Sequence, residues 1–380
     1  MKLTQANKKL SAEHGVVASY PDDFYGYFGW PTITRMDDGT LVVSSSGLRN
    51  YHVCPFGRTV ICTSTDDGQT WTSPRVINDS PLDDRDSGIL SLGGSKLLMS
   101  WFSTDNRSAA PSEYQKGLSA TDAERWQQGL RRVTDENVEK YVGSWVRTSE
   151  DAGLTWGDAV KVSVSSPHGS NRLANGDLVY LGKQQTRVEP DWTMTAGGVG
   201  AIGSSDDGRT WTELGTVSTY DGMGVEFFHE PHVIELSDGR LLGLIRYDPS
   251  HNDYHNRQPG QTDFQMCQTI SSDGGKTWSQ AELLDFHGSP PHLLQHSSGV
   301  LICSYGYREK PWGTRIMLSR DNGDSWEYDY ILRDDGPHPD LGYPSSVELS
   351  DGSILTLYYQ QPNKAEDKCA LLWSRWELPT

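Results

Sequence analysis

Two carboxylates, a phenol and an indole stand at one recurring place in this chain. Six times the sequence runs through a short turn into an apolar strand: DDGTLVV at Asp37, GGSKLLM at Gly93, ANGDLVYL at Ala174, SDGRLLGLI at Ser237, SSGVLICS at Ser297 and SDGSILTLYY at Ser350. Stepping back eight residues from the matching turn position reaches Trp30, Asp86, Glu230, Pro290 and Tyr343, with His168 close to that place in the shorter third unit. Arg85 and His229 directly precede two of them, and the strand after the turn delivers Lys183, Arg246 and Tyr359. Arg49 and Arg308 lie just past two further strand ends. Such a set is rich in ionisable and aromatic groups, unlike the apolar filling of a purely structural channel. Its guanidinium groups suit an anion, because a planar guanidinium donates two parallel hydrogen bonds to a carboxylate.

The elements that must gather these residues are written in a second repeat. Ser-x-Asp-x-Gly-x-Thr-Trp recurs as STDDGQTW from Ser64, SEDAGLTW from Ser149, SSDDGRTW from Ser204, SSDGGKTW from Ser271 and, with Ser for Thr, SRDNGDSW from Ser319. Asp and Gly at these places specify a tight hairpin turn, since Asp bonds nearby backbone N–H groups and Gly accepts φ > 0. The Trp opens the next strand, where it can pack on a neighbouring repeat. A calcium loop is the other reading of Asp-x-x-Gly, but no twelve-residue loop ending in Glu and no flanking helix pair is present. The two repeats interleave as strand, turn, strand, Asp-containing hairpin, strand. Six such units predict an all-β, six-bladed β-propeller with four-stranded antiparallel blades, forming one domain over residues 1–380. The inner strand of every blade then starts at one mouth, which brings the residues above together. The sixth unit lacks the Asp-containing hairpin, so the strand around Leu371 to Trp376 is expected to finish a sheet with help from the N-terminus and close the ring. An excess between Ser103 and Lys140 has helical periodicity and predicts a small helical insertion in blade two, about residues 104–140, serving as a lid, an oligomer contact or a solvated insertion.

Composition narrows the partners. The formal net charge is −18, so broad attraction to nucleic acid or to an anionic membrane is not expected, and an anion must be met by a local basic pocket. The five cysteines (Cys54, Cys62, Cys267, Cys303, Cys369) are odd in number and form no CxxC pair, and read as reduced residues in strands. The opening MKLTQANKKL has no apolar core of a signal peptide, and no apolar run spans a membrane. A cytoplasmic protein is expected, or a secreted one if a leader has been removed.

The hairpin motif, the six units and the mouth residues together resemble the sialidase (neuraminidase) superfamily over nearly the whole chain. Members act on sugars with a carboxylate at the anomeric carbon, using three arginines to hold it and a tyrosine nucleophile, an exception among retaining glycosidases. A neutral phenol avoids repulsion by that carboxylate, and a glutamate serves as its base. FFHEPHVIELSDGRLLGLIR is similar to the family's strand pair carrying the glutamate and an arginine, which implies Glu230 as base and Arg246 as carboxylate clamp. LGYPSSVELSDGSILTLYY is similar to the final blade, which implies Tyr343 as nucleophile. Another arginine belongs to the blade before it, Arg308 first and Arg315 second. No metal or organic cofactor is implied.

The chain departs from that pattern in three places. The Tyr/Phe-Arg-Ile-Pro motif that supplies the first arginine reads Phe28-Gly29-Trp30-Pro31 here, leaving Arg49, Arg85 or Arg35 to substitute. The acid/base Asp expected before the first Asp-containing hairpin is not evident, leaving Asp86, His52 or His168. The glutamate that props the first arginine is replaced by Gln360. The resemblance implies an exo-sialidase acting on a sialylated glycan or other acidic carbohydrate. Two further readings compete: a propeller polysaccharide lyase or other hydrolase acting on a uronate-containing glycan, with His and Tyr as acid/base, and a non-catalytic carbohydrate-binding propeller. Oligomeric state is not legible.

Overall fold

The computed structural model describes residues 1–107, 118–188, 193–219, 223–249 and 263–379, the side chains of 185–196 excepted. Six sheets, antiparallel but for one N-terminal strand, are arranged as blades around an axis. Blade one runs Tyr27–Arg35, Leu41–Arg49, Arg58–Ser64 and Arg75–Asn78 from the axis outward, and blade two Asp83–Gly93, Lys96–Thr104, Gly143–Ser149 and Val160–Val162. Blade four (Phe228–Glu235 to Glu282–Leu284) and blade five (Pro291–Gln295 to Ser325–Arg333) repeat the order. Blade three departs from it: its innermost strand is broken into Val164–Ser165 and Asn171–Arg172, both paired with Leu178–Val188. Blade six takes only three strands from its own stretch, Gly342–Glu348, Ile354–Gln360 and Ala370–Trp376. Its outer strand is Ala12–Ala18, antiparallel to Ala370–Trp376. The preceding strand, Lys2–Lys9, pairs in parallel with Ser325–Arg333 and makes blade five five-stranded.

The core lies between blades and not at the axis. Each of the six blade junctions has its own apolar cluster, such as Val42 and Ile61 against Ile89 and Met99 between blades one and two, or Ile302 and Leu318 against Ile354 and Trp376 between blades five and six. The axial face of the inner strands carries small and polar residues: Ser44 meets Ser87, Ser346 meets Ser304, and His168, His232 and His292 pack ring against ring with centroids 4.4–5.7 Å apart.

The Asp-containing hairpins explain how neighbouring blades are held. In the first, Asp66 Oδ1 accepts from the Thr70 backbone N–H (2.9 Å), Oδ2 accepts from the Thr70 hydroxyl (2.6 Å), and Ser64 Oγ accepts from Gly68 N–H (3.0 Å). Hydrogen bonds from Thr70 hold the exposed Asp66 carboxyl down at about 2. The same pattern recurs at Asp151, Asp206, Asp273 and Asp321. Each turn glycine lies against a side chain of the preceding blade: Gly68 on Leu355, Gly153 on Ile61, Gly208 on Leu98, Gly275 on Leu214 and Gly323 on Leu242. In four copies the Trp indole N–H returns to the turn glycine carbonyl, while Trp326 instead donates to Gln268 of the blade before (2.8 Å).

The insertion in blade two forms two helices, α1 (Ala120–Leu130) and α2 (Asp135–Tyr141). Ser119 and Thr134 cap them, accepting from the Asp122 and Asn137 N–H groups, as short polar residues do where the first-turn N–H groups lack helical partners. The segment 108–117 lies outside the described residues. Trp126 of α1 is fully buried against Phe56 and Cys54, and a Cβ at Gly129 would strike Phe56 and Pro55. The insertion therefore braces the loop 50–57 at the mouth.

Candidate active site at the propeller mouth

A single structural device presents the mouth residues. In blades one, two, four and six the innermost strand carries one extra residue against its partner, between Gly29 and Thr32, Arg85 and Gly88, His229 and His232, and Gly342 and Ser345. The residue in each bulge is left-handed: Trp30 (φ 52°), Asp86 (49°), Glu230 (44°) and Tyr343 (48°). A bulge re-aims a side chain that regular pleating would direct elsewhere. A bulky non-glycine residue at positive φ costs roughly 1–3 kcal/mol, so four in one ring mark a place where stability is traded for geometry.

Those four side chains line one cavity of about 630 Å³, together with Arg85, Arg246, Arg308, His52, Tyr51, Phe102, Phe264 and Asp340. That volume lies within the range of small-molecule sites, roughly 300–1,000 Å³. At its centre the Tyr343 hydroxyl donates to Glu230 Oε1 at 2.5 Å. Arg246 Nη1 donates to Glu230 Oε2 (2.6 Å) and lies 3.3 Å from the phenol oxygen, and its Nη2 donates to the fully buried Asp248 (2.8 Å). Burial and the Glu230 charge push the Tyr343 phenol well above its ordinary range. Burial alone would raise Glu230, but the Arg246 charge and the Tyr343 hydrogen bond outweigh it and hold the carboxyl at about 2. The resting pair is a neutral phenol on an ionised carboxylate.

Around this pair stand the cations. Arg308 packs over the rings of Phe264 (5.0 Å) and Tyr343 (5.5 Å), tethered by one hydrogen bond to the Leu341 carbonyl (2.8 Å). Arg85 lies over Trp30 at 4.2 Å, donates to the His52 carbonyl (3.0 Å) and stands 3.5 Å from Asp83. Three guanidinium groups thus face one cavity, the third coming from blade two. Beside Arg85, Asp86 is buried, and its Oδ1 has no hydrogen-bond partner among the described residues. Burial is the chief reason its carboxyl is pushed up to about 7, with the neighbouring Glu230 charge adding to the rise and Arg85 opposing it.

Several residues expected at the mouth are placed elsewhere, among them Lys183, whose Nζ donates to the Val225, Glu226 and Phe228 carbonyls. Arg49 is fully buried beneath the rim, where Asp83 takes both its Nη atoms (2.5 and 2.9 Å) and Ser46 and the His52 carbonyl take further N–H groups. Arg49 reaches the Trp30 ring from below (4.9 Å) and does not line the cavity. His168 belongs to the axial histidine cluster, since the broken inner strand of blade three sets it below the bulge level; its Nδ1 meets the Thr32 hydroxyl (3.1 Å). Arg315 sits on the third strand of blade five, away from the axis, with Asp329 (3.3 Å) and the Pro311 and Arg333 carbonyls as partners. Arg35 ends its strand at the Asp37 turn, opposite the mouth.

Several site residues were not singled out from the sequence. Asp340 accepts from His52 Nδ1 (2.8 Å), Tyr359 OH (3.0 Å) and Tyr27 OH (2.9 Å). Burial would raise its carboxyl, but the His52 charge and these hydrogen bonds hold it far below the usual range. Its signal was its place three residues before Tyr343. Asp248 follows Arg246 by two, the spacing that shares a strand face. Phe264 comes from a third strand's approach and left no local signal.

Residues 147–357, more than half of the chain, match the model of the BNR repeat-like domain family. No curated protein is matched by the sequence. Among solved structures, a Dyadobacter fermentans protein of unknown function is 22% identical, with a TM-score of 0.73 over 97% of this chain and 98% of that one. The NanB sialidase of Streptococcus pneumoniae is 14% identical (TM-score 0.65, 96% of this chain and 70% of that one), and the intramolecular trans-sialidase of Ruminococcus gnavus 15% (0.61, 96% and 97%). At these identities the likeness is one of fold. With the five Asp-containing hairpins and the six blades, the family match identifies this chain as a member of the BNR repeat-like domain family.

Proposed function

We propose that the chain is an exo-sialidase that releases terminal sialic acid from glycoconjugates with retention of configuration. The observation that carries this reading is the Tyr343–Glu230 pair at 2.5 Å inside a cavity faced by Arg85, Arg246 and Arg308. Arg246 and Arg308 clamp the substrate carboxylate, and Arg85 takes the place of the arginine missing from Phe28-Gly29-Trp30-Pro31. Once the substrate carboxylate shares the Arg246 charge, Glu230 becomes more basic and accepts the phenol proton while the Tyr343 oxygen attacks the anomeric carbon. Asp86, its carboxyl pushed up to about 7 by burial, is mostly protonated below that pH and can then donate a hydrogen bond to the sugar without repelling its carboxylate. The known actions of NanB and of the R. gnavus enzyme are consistent with an acidic sugar as ligand, and the shared fold alone does not specify the reaction.

The test is hydrolysis of a fluorogenic sialoside by the wild type, Tyr343→Phe and Arg246→Ala. Tyr343→Phe is expected to lower kcat on the order of 10³-fold or more, and Arg246→Ala to lower kcat/KM on the order of 10²-fold or more, with circular dichroism unchanged. An inactive wild type rejects the reading. A second reading is favoured by the His52–Asp340 pair in the same cavity: proton abstraction beside a uronate carboxylate followed by elimination. It is chosen if a uronate-containing glycan yields an unsaturated product absorbing in the ultraviolet.

A further inference from the structure

The cavity holds an imidazole that a carboxylate orients. His52 stands on the loop 50–57, and Asp340 receives its Nδ1 at 2.8 Å. Asp340 cannot turn away, because Tyr27 and Tyr359 donate to its two oxygens. The His52 ring is set edge-on to Trp30 with centroids 4.9 Å apart. Its Nε2 makes no hydrogen bond among the described residues, and about a third of the side chain is open to solvent. A carboxylate on Nδ1 fixes the tautomer and directs Nε2 outward.

We propose that His52, oriented by Asp340, is the acid/base group of this site, standing where the usual aspartate is absent. This rests on the sialoside reading above. In the first step His52, as the imidazolium with both ring nitrogens protonated, gives its Nε2 proton to the glycosidic oxygen as the bond from that oxygen to the anomeric carbon breaks. The bonding pair leaves with the aglycone, the Tyr343 oxygen bonds the anomeric carbon, and the phenol proton passes to Glu230. In the second step neutral His52 takes a proton from a water whose oxygen attacks the anomeric carbon. The bond to Tyr343 breaks, and Glu230 returns the proton to the phenolate. Both steps need access from solvent, for the aglycone and then for the water. Asp86 meets that requirement poorly: it is 8% exposed, and its Oδ1 is sealed from solvent. Asp340 is a positioning residue here, since it acts through the His52 Nδ1 that it receives.

The experiment uses two sialosides that differ only in aglycone. One carries an aryl group that leaves as a stable phenolate without protonation, and the other an alkyl alcohol that must be protonated. His52→Ala and His52→Gln are expected to lose on the order of 10²–10⁴-fold in kcat/KM on the alkyl sialoside and less than about 10-fold on the aryl one. Asp340→Asn is expected to show the same selectivity at smaller size, which a merely structural contact would not produce. Equal losses on both substrates overturn the proposal, as does a selective loss in Asp86→Asn that His52→Ala and His52→Gln lack. A wild type that cleaves neither sialoside overturns the sialoside reading itself, without recourse to any variant.

Discussion

At the scale of the residue, Asp86 and Glu230 are carboxyl groups in one cavity pushed in opposite directions. Glu230 has Arg246 and the Tyr343 hydroxyl against it and stays ionised, whereas Asp86 has an oxygen with no partner and holds its proton to about pH 7. The sign for stability follows from linkage. Unfolded, Asp86 titrates near 3.9. Between that value and about 7 the folded state binds more protons than the unfolded state, so the Asp86 contribution is fully present below pH 4 and is lost as pH rises to 7. Asp86→Asn, which cannot ionise, is therefore expected to gain Tm relative to the wild type progressively from pH 4 to pH 8. A Tm difference that stays flat across that range in scanning fluorimetry counts against the buried, uncharged carboxyl. The five cysteines, by contrast, are buried free thiols; burial pushes Cys62 and Cys267 up to about 12.

At the scale of the element, the bulge and the Asp-containing hairpin divide the work. The bulge sits at the axis and aims Trp30, Asp86, Glu230 and Tyr343 into the cavity, while the hairpin sits far out on the blade and fastens it to the preceding one. Their mutational signatures should separate accordingly. Asp206→Ala removes the acceptor for the Thr210 N–H and hydroxyl and is expected to cost about 1 kcal/mol, in the manner of a lost cap. A Tm lower by a few degrees with kcat/KM unchanged is the expected result. Loss of turnover in well-folded Asp206→Ala would mean that the hairpin reaches the site. The helical insertion belongs to the first group by its contacts: buried Trp126 holds the loop that carries His52.

At the scale of the whole molecule, the ring closes through its N-terminal strands. Ala12–Ala18 supplies the missing strand of blade six, and Lys2–Lys9 runs on to blade five, so one continuous segment bridges two blade edges. Because the apolar clusters lie between blades, opening one junction exposes core on both sides of it. Removing residues 1–18 is expected to lower Tm by roughly 10 °C or more and to promote association through the bared edge of Ala370–Trp376. A truncated protein that stays monomeric in size-exclusion chromatography, with the Tm of the full chain, would show that closure does not depend on these strands. Tyr343 and Glu230 come from blades six and four, so their contact also reports whether the ring is closed.

The sequence made the repeat legible, and with it the blade count and the hairpins, because each is written in local turn chemistry that recurs at fixed spacing. It also carried Tyr343, Glu230, Arg246, Arg308, Arg85, Asp86 and Trp30 to one cavity, since every inner strand opens at the same end. The packing of distant segments decided which arginine turns into the cavity. Arg49 and Arg85 flank the same blade junction; the buried Asp83 takes both Nη atoms of Arg49 and holds it inward, while Arg85, 3.5 Å from the same carboxylate, lies over Trp30. It likewise decided that His168 falls below the ring and that His52 meets Asp340, contacts between residues 288 positions apart that no local pattern encodes.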